Sequence, residues 1–116
     1  MVLRNVKTKE DYIQFNDQNL MQGIPMLIRC MTDEKTIGKE KEMVVILPNI
    51  SSTNGRWNFQ VFIVDIGKNC EKCNIIVRAG DGDKILGTDE VVIKTNGQGI
   101  AIMITDVRDW RGWQLM

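Results

Sequence analysis

Histidine is absent from this sequence, and no region carries a marked excess of charge of one sign. Histidine is the side chain most often used for general acid–base catalysis near neutral pH, and it is a frequent metal ligand. The sequence also has no serine or cysteine nucleophile next to a base and no paired carboxylates in a catalytic context. We therefore predict that the protein is not an enzyme and carries no cofactor.

Positive and negative charges balance along the whole chain. Lys and Arg number 15, as do Asp and Glu, and the balance holds on both sides of Met43. Neither half is basic enough to follow a phosphate backbone or an anionic membrane. We therefore expect neither nucleic acid nor a membrane among the partners.

Long apolar runs and an even set of cysteines are also missing. No run approaches the roughly 20 apolar residues that a membrane-spanning helix needs, and the amino terminus is polar rather than signal-like. The three cysteines are Cys30, Cys70 and Cys73. An odd number without a secretory signal argues against a disulfide framework. These features predict a soluble protein with reduced thiols, made in a cytoplasm.

Short β-branched and apolar runs are present, separated by turn residues. They recur about every ten residues, and the intervals leave no room for a crossover helix. The sequence therefore predicts an all-β fold, a small antiparallel sandwich or barrel of about seven strands. The predicted strands are Met26–Met31, Met43–Leu47, Trp57–Ile66, Ile75–Val77, Val91–Ile93, Ile100–Thr105 and the segment that begins near Trp110.

Residues 1–23 depart from this pattern, and we interpret them as an N-terminal arm preceding a β-module of residues 24–116. Thr8 to Asp11 has the spacing of a capping box, after which Tyr12 and Phe15 would share one face of a short helix. An extended arm is the alternative, because the segment is too short to be a stable helix alone.

Cys70 and Cys73 have the spacing of half a zinc ribbon or of a redox pair. A tetrahedral zinc needs four ligands, and only Cys30 remains as a further thiol. A redox pair needs a helix amino terminus to lower the thiol pKa, whereas the flanking segments here are predicted strands. We interpret the segment as a loop with incidental cysteines, with a small metal- or redox-active protein as the alternative.

Two glycine-bearing motifs invite comparison with ligand-binding loops. An EF-hand counted from Asp81 would need glycine and glutamate where this sequence has Leu86 and Val92. Asp81-Gly82-Asp83 is therefore interpreted as a hairpin turn, with an improvised surface calcium site as the alternative. Gly97-Gln98-Gly99 leads into a strand rather than a helix, so it does not predict a phosphate site.

Two predicted strands are apolar on both faces, namely Trp57–Ile66 from Phe62 onward and Ile100–Thr105. A small sandwich with one buried face per sheet does not need so much apolar surface, and a subunit interface would use the excess. The candidate interface residues are Phe62, Val64, Ile100, Ile102 and Met103.

The chain also offers two candidate recognition surfaces. Trp57, Trp110 and Trp113 could stack on a sugar, although we interpret them as core and interface fillers because they bury large area at low entropy cost. The charged segment Thr32–Glu42 is interpreted as a solvated hairpin loop, and a recognition loop is the alternative.

A series of motifs extends over about Met26 to Leu115. It comprises Val44-Val45-Ile46-Leu47-Pro48, Gly55-Arg56-Trp57, Ile75-Ile76-Val77, Gly80-Asp81-Gly82-Asp83-Lys84-Ile85-Leu86-Gly87, Val91–Ile93, Gly97-Gln98-Gly99-Ile100-Ala101-Ile102 and a terminal tryptophan. In this order and spacing the series resembles the small β-modules of tailed-bacteriophage fibres and head fibres. The sequence departs from those modules in the Cys70–Cys73 connection and in the Trp110-Arg111-Gly112-Trp113 ending.

The resemblance implies a homotrimeric virion protein, made in the cytoplasm of a host bacterium, whose three copies pack along a threefold axis. A head fibre or capsid decoration protein fits the short chain, and its partners would be its own copies and the major capsid protein or another fibre protein. The segment Met1–Gln22 would be the anchor, with Tyr12 and Phe15 as candidate contacts. The alternative is a tail-fibre-like adhesion module that binds a host glycan or surface protein.

Overall fold

A computed structural model describes residues 1–14, 23–50, 59–107 and 110–116. Nine strands and one short helix occur in these ranges. The strands are β1 (Val2–Val6), β2 (Glu10–Tyr12), β3 (Met26–Cys30), β4 (Glu42–Ile46), β5 (Gln60–Asp65), β6 (Asn74–Arg78), β7 (Glu90–Ile93), β8 (Gly99–Val107) and β9 (Trp110–Leu115), and the helix is α1 (Glu34–Ile37). None of the described helices has the length and apolar character needed to cross a membrane.

The strands form two sheets whose apolar faces share one core. The five-stranded sheet has the order β1-β3-β5-β8-β9, and the four-stranded sheet has the order β2-β4-β6-β7. Alternation places the core residues: Met26, Ile28 and Cys30 of β3 are buried, as their shared parity predicts. The all-β prediction is confirmed.

Both sheets are mixed, so the prediction of an antiparallel sandwich is wrong on this point. β1, β3 and β5 run parallel, as do β2, β4 and β6, whereas β7, β8 and β9 pair antiparallel with their neighbours. Parallel neighbours need a crossover of a dozen or more residues, usually a helix. Here the crossover is a strand of the opposite sheet, since β4 connects β3 to β5 and β5 connects β4 to β6. Strand spacing alone does not reveal this alternation.

The first residues belong to the two sheets. β1 pairs with β3 and β2 pairs with β4, while Val6 and Ile13 are buried in the core. Residues 10–12 are therefore strand rather than the helix considered for the predicted arm 1–23. Pairing with β4 provides hydrogen-bond partners for their backbone groups, whereas an isolated helix of this length would not be stable. Phe15 and the rest of the predicted anchor lie outside the described residues.

A pair of inward-facing charges closes the edge where β1 and β2 meet. Arg4 is in register with the buried Ile28, and Asp11 is in register with the buried Val45. The Arg4 guanidinium donates to both carboxylate oxygens of Asp11, from Nη2 at 2.7 Å and from Nε at 3.1 Å. Inward-pointing charges on edge strands discourage pairing with another chain. The ion pair therefore both joins the two sheets and protects their edge.

The segment Thr32–Glu42 is a crossover between the sheets rather than a hairpin loop, because β3 and β4 lie in different sheets. It contains α1, whose first turn is closed by the hydrogen bond from the Ile37 N–H to the Asp33 carbonyl at 3.0 Å. Ile37 is buried against the core. The crossover is therefore partly packed, and only part of it is the solvated loop that its charges predict.

The alternation of strands gives the sandwich two ends. Loops 7–9, 31–41, 66–73 and 94–98 lie at one end, called here the cysteine end because the three cysteines are near it. The loops that follow β2, β4 and β6 lie at the opposite end, called here the cleft end.

Candidate functional site

Asp65, at the end of β5, organises the cysteine end. It is 1% exposed and accepts hydrogen bonds from the Thr32 hydroxyl, from the Cys70 N–H at 3.1 Å and from the Gly97 N–H at 2.9 Å. Burial opposes its ionisation, but these donors outweigh burial and lower the pKa of Asp65 below its usual value. Asp65 thereby ties three connections together. The glycine motif at Gly97 binds this internal carboxylate.

The three thiols near Asp65 are buried, and none of them forms a disulfide. Burial, with the nearby Asp65 charge, raises the pKa of Cys30 to about 12. Burial and a hydrogen bond to Asp65 raise the pKa of Cys70 to about 12, and burial also raises the pKa of Cys73. The thiolate is the form that attacks and binds metal. The shifts favour the protonated thiols, and all three cysteine side chains pack in the hydrophobic core.

Metal-ligating side chains do not gather elsewhere in the described residues, where no group of three or more could hold an ion. In the loop Asp81-Gly82-Asp83, Gly82 has a φ of 83°, which confirms the interpretation as a turn. The Asp83 carboxylate accepts a hydrogen bond from the Ile50 N–H at 2.7 Å. It thus fastens the turn to the loop that follows β4.

The predicted interface residues divide between the two faces of the five-stranded sheet. Phe62, Val64 and Met103 are partly exposed on the outer face. Ile102 is fully buried and Ile100 is in register with the buried Ile63, so both belong to the core side. The sequence could not show which parity of a doubly apolar strand points inward.

The outward-facing apolar residues of this sheet form a continuous set on the four neighbouring strands β1, β3, β5 and β8. Leu27, Phe62 and Ala101 form one row across the sheet, and Gln60 and Met103 form the next. We call this set the apolar face, comprising Leu3, Leu27, Phe62, Val64, Ala101 and Met103. Arg29 and Asn5, joined by a 2.7 Å hydrogen bond, lie beside it.

A trough of about 650 Å³ opens at the cleft end. The three parallel strands β2, β4 and β6 all end at this edge, and the residues after them line the trough. Its floor is residues 46–49, and its walls are residues 12–14 and residues 78–81. Register places Tyr12 and Arg78 on either side of Ile46. We call this trough the cleft.

The walls of the cleft carry an aromatic ring, a cation and a carboxylate. Tyr12 is 63% exposed, and its hydroxyl donates to Glu10, whose carboxylate raises the pKa of Tyr12. The Arg78 guanidinium donates to Glu90 from Nη2 at 3.1 Å. Asp81 is exposed on the same wall as Arg78. Tyr12 is one of the two predicted anchor residues, whereas Arg78 follows from no sequence motif.

Trp113 is fully buried, and it is the largest of the fully buried side chains. Its interpretation as a core filler is confirmed, so it offers no platform to a sugar. Trp57 and the side chain of Trp110 lie outside the described part of the chain. The exposed aromatic side chain at the cleft is Tyr12 and not one of the tryptophans considered for sugar stacking.

The sequence matches no known protein family, and no curated protein is similar to it. The likeness to phage fibre modules therefore rests on the motifs of this chain. In the structure these motifs are β4 with the Pro48 that comes after it, β6, the turn between β6 and β7, β7, the turn that leads into β8, and β9. The motif Gly55-Arg56-Trp57 lies outside the described residues.

Proposed function

We propose that the protein is a structural, non-enzymatic module of a tailed-bacteriophage virion. In this proposal it is a homotrimeric head-fibre or capsid decoration protein, attached through its N-terminal segment to the major capsid protein or to another fibre protein. The apolar face of the five-stranded sheet is the observation that carries the proposal.

Phe62, Val64 and Met103 support an interface because they lie on the central strands β5 and β8 and point away from the core. Burying the part of these side chains that is still exposed would stabilise an assembly by roughly 25 cal/mol per Å² of apolar surface. Polar residues lie along the margin of the apolar face, including Arg29 and Gln60. An apolar centre with a polar rim is the usual arrangement in protein interfaces. The threefold symmetry is taken from the resemblance to fibre modules.

The N-terminal attachment requires an adjusted test. β1 and β2 belong to the sheets, so deleting residues 1–22 would damage the fold together with any anchor. A substitution at the exposed Tyr12 leaves the core intact, so it probes attachment without damaging the fold. Co-purification of the Tyr12→Ala protein with virions, compared with the unmodified protein, measures that contribution.

Light scattering in solution tests the trimer. We expect the unmodified protein to be trimeric at micromolar concentrations and Phe62→Asp to be monomeric, because Phe62 lies between Leu27 and Ala101 and a carboxylate buried there would oppose association. Val92→Asp is the matched control, since Val92 is 46% exposed on the outer face of the other sheet. Thermal melting of both variants confirms that each is folded.

Two results would overturn the proposal. One is an unmodified protein that remains monomeric at micromolar concentrations. The other is the absence of the protein from purified virions of a phage that encodes it.

Adhesion to a host glycan or surface protein is the second candidate function. The cleft favours it, because the cleft presents an exposed ring and polar groups on a surface separate from the apolar face. The two functions are compatible in one virion protein.

A further inference from the structure

The cleft has the dimensions of a small-molecule site. Its volume of about 650 Å³ falls within the range of roughly 300–1,000 Å³ that is usual for ligand pockets. Ile46, Leu47 and Pro48 give it an apolar floor, and Tyr12 and Arg78 stand on opposite sides. A ligand in the cleft would therefore contact an apolar surface below and polar groups at its margins.

The charges of the described lining residues cancel. Among them, Arg78 is the cation and Asp81 the carboxylate, and this balance favours neither a phosphate nor a polycation. Arg78 has five N–H donors, and its pair with Glu90 uses those on Nε and Nη2. Its Nη1 can donate to a ligand hydroxyl, and the Asp81 carboxylate can accept from another. A neutral polyhydroxylated ligand fits this pair of groups.

Tyr12 adds an exposed aromatic ring to one wall. The faces of aromatic rings attract apolar C–H surfaces, and the tyrosine hydroxyl keeps the ring compatible with water. A pyranose ring presents such a C–H face while its hydroxyl groups point outward.

The floor of the cleft argues against an extended peptide as the occupant. Peptides in such positions gain affinity by adding a strand to an unpaired sheet edge. β4 is already paired on one side with β2 and on the other with β6. Pro48, which follows it, has no N–H to donate. A saccharide does not bind through backbone pairing, so the lack of free backbone groups at this floor does not weaken its binding.

From these observations we propose that the cleft binds a neutral saccharide. Tyr12 stacks on the face of one sugar ring, while Arg78 and Asp81 hydrogen-bond its hydroxyl groups. This inference deepens the adhesion function and rests on it, but it does not depend on the trimer interface. The cleft uses strands of the four-stranded sheet, whereas the apolar face belongs to the five-stranded sheet.

A glycan array of neutral and acidic oligosaccharides, followed by NMR titration of the full-length protein, tests the proposal. We expect at least one neutral oligosaccharide to bind and to shift the amide signals of residues 12–14, 46–47 and 78–81. Inorganic phosphate and a tri-lysine peptide, used as charged probes, should leave these signals in place.

Variants then assign the roles of the residues. Tyr12→Ala should raise the Kd for the bound oligosaccharide about 10-fold, whereas Tyr12→Phe keeps the ring and should change it by less than about 3-fold. Asp81→Asn should weaken binding without altering the melting temperature. Val92→Ala is the control, since Val92 is exposed on the same sheet outside the cleft.

Three outcomes would overturn the proposal: no neutral oligosaccharide binds, a bound oligosaccharide shifts signals away from the cleft, or Tyr12→Ala binds as well as the unmodified protein. Loss of virion attachment in Tyr12→Ala without any saccharide binding would assign the cleft to a protein partner. None of these outcomes changes the oligomeric state, so the assembly function is tested separately.

Discussion

At the scale of single residues, Asp65 is a buried carboxylate on which several hydrogen bonds converge. Its carboxylate accepts hydrogen bonds from Thr32, Cys70 and Gly97, which lie on three different connections. Nothing in the sequence around Asp65 marks it, because it ends an apolar strand and two of its three donors, Thr32 and Gly97, are distant in the chain. A buried carboxylate is stable only where several donors converge on it.

We predict that Asp65→Asn lowers the free energy of unfolding by about 3 kcal/mol, because an amide N–H replaces one acceptor oxygen and faces backbone N–H donors. Urea unfolding measures the change. Asp81→Asn is the control, since Asp81 is exposed and its loss should cost less than about 0.5 kcal/mol. A loss below about 1 kcal/mol for Asp65→Asn would contradict the role given to this carboxylate.

The pH dependence of the same pair of proteins provides a second readout. The folded state lowers the pKa of Asp65 from its ordinary value of 3.8, so the contribution of Asp65 to stability is complete above that value. It is lost as pH falls through the lower folded-state pKa. The difference in stability between the unmodified protein and Asp65→Asn should therefore be constant near neutral pH and narrow below pH 3.8.

At the scale of elements, the connection from β5 to β6 packs with its backbone directly against the crossover that carries α1. A Cβ atom on Gly67 would lie 2.4 Å from the backbone nitrogens of both Thr32 and Asp33. Backbone atoms at that distance cannot move aside without displacing the whole crossover. The glycine therefore sets how closely these two connections approach.

Gly67→Ala should accordingly destabilise the protein by about 1–3 kcal/mol through overpacking. The loss should appear in thermal melting and in faster hydrogen exchange at the cysteine end. Lys68→Ala serves as the neighbouring control. Lys68 is exposed, and an alanine at this position would have the same positive φ as the lysine that it replaces. Equal melting temperatures for Gly67→Ala and the unmodified protein would show that the connections do not pack in this way.

At the scale of the whole molecule, the first two strands are part of the sandwich rather than an appendage. β1 is the parallel neighbour of β3, and β2 is the parallel neighbour of β4. Val6 and Ile13 contribute to the core, and the ion pair of Arg4 with Asp11 closes the edge.

Deletion of residues 1–14 should therefore abolish cooperative unfolding, because it exposes the core and leaves two new unprotected edges. Circular dichroism during heating measures this. Deletion of Met1 alone is the matched control, since Met1 precedes β1 and is 64% exposed. A shortened chain that melts cooperatively near the temperature of the full chain would restore the interpretation of residues 1–23 as a separate arm.

Local patterns account for the parts of the fold that were predicted correctly. Alternation in Met26–Cys30 marked a strand with one buried face, and the glycine at Gly82 marked a turn that needs positive φ. Both signals depend on neighbouring residues alone. The pairing of strands depends on residues far apart, and for that reason the sequence predicted antiparallel sheets where parallel pairs occur.

The cleft could not be predicted from the sequence for the same reason. Tyr12, Ile46 and Arg78 become neighbours only through the register of three parallel strands. The spacing of these residues along the chain does not predict that they are neighbours. Likewise, Phe62 and Ile102 read alike as apolar residues in strands, but the pairing of β5 with β8 places Phe62 outside and Ile102 in the core.

The sequence by itself determined that the chain forms β-strands, where most of its turns lie, and that its positive and negative charges balance. These properties follow from the local conformational preferences of residues and from composition. The tertiary structure alone decided the parallel pairing, the side of each doubly apolar strand that faces the core, and the joining of Tyr12 to Arg78 in one cleft. These features depend on hydrogen bonds and packing between strands that are far apart in the chain. A short stretch of sequence therefore does not predict them.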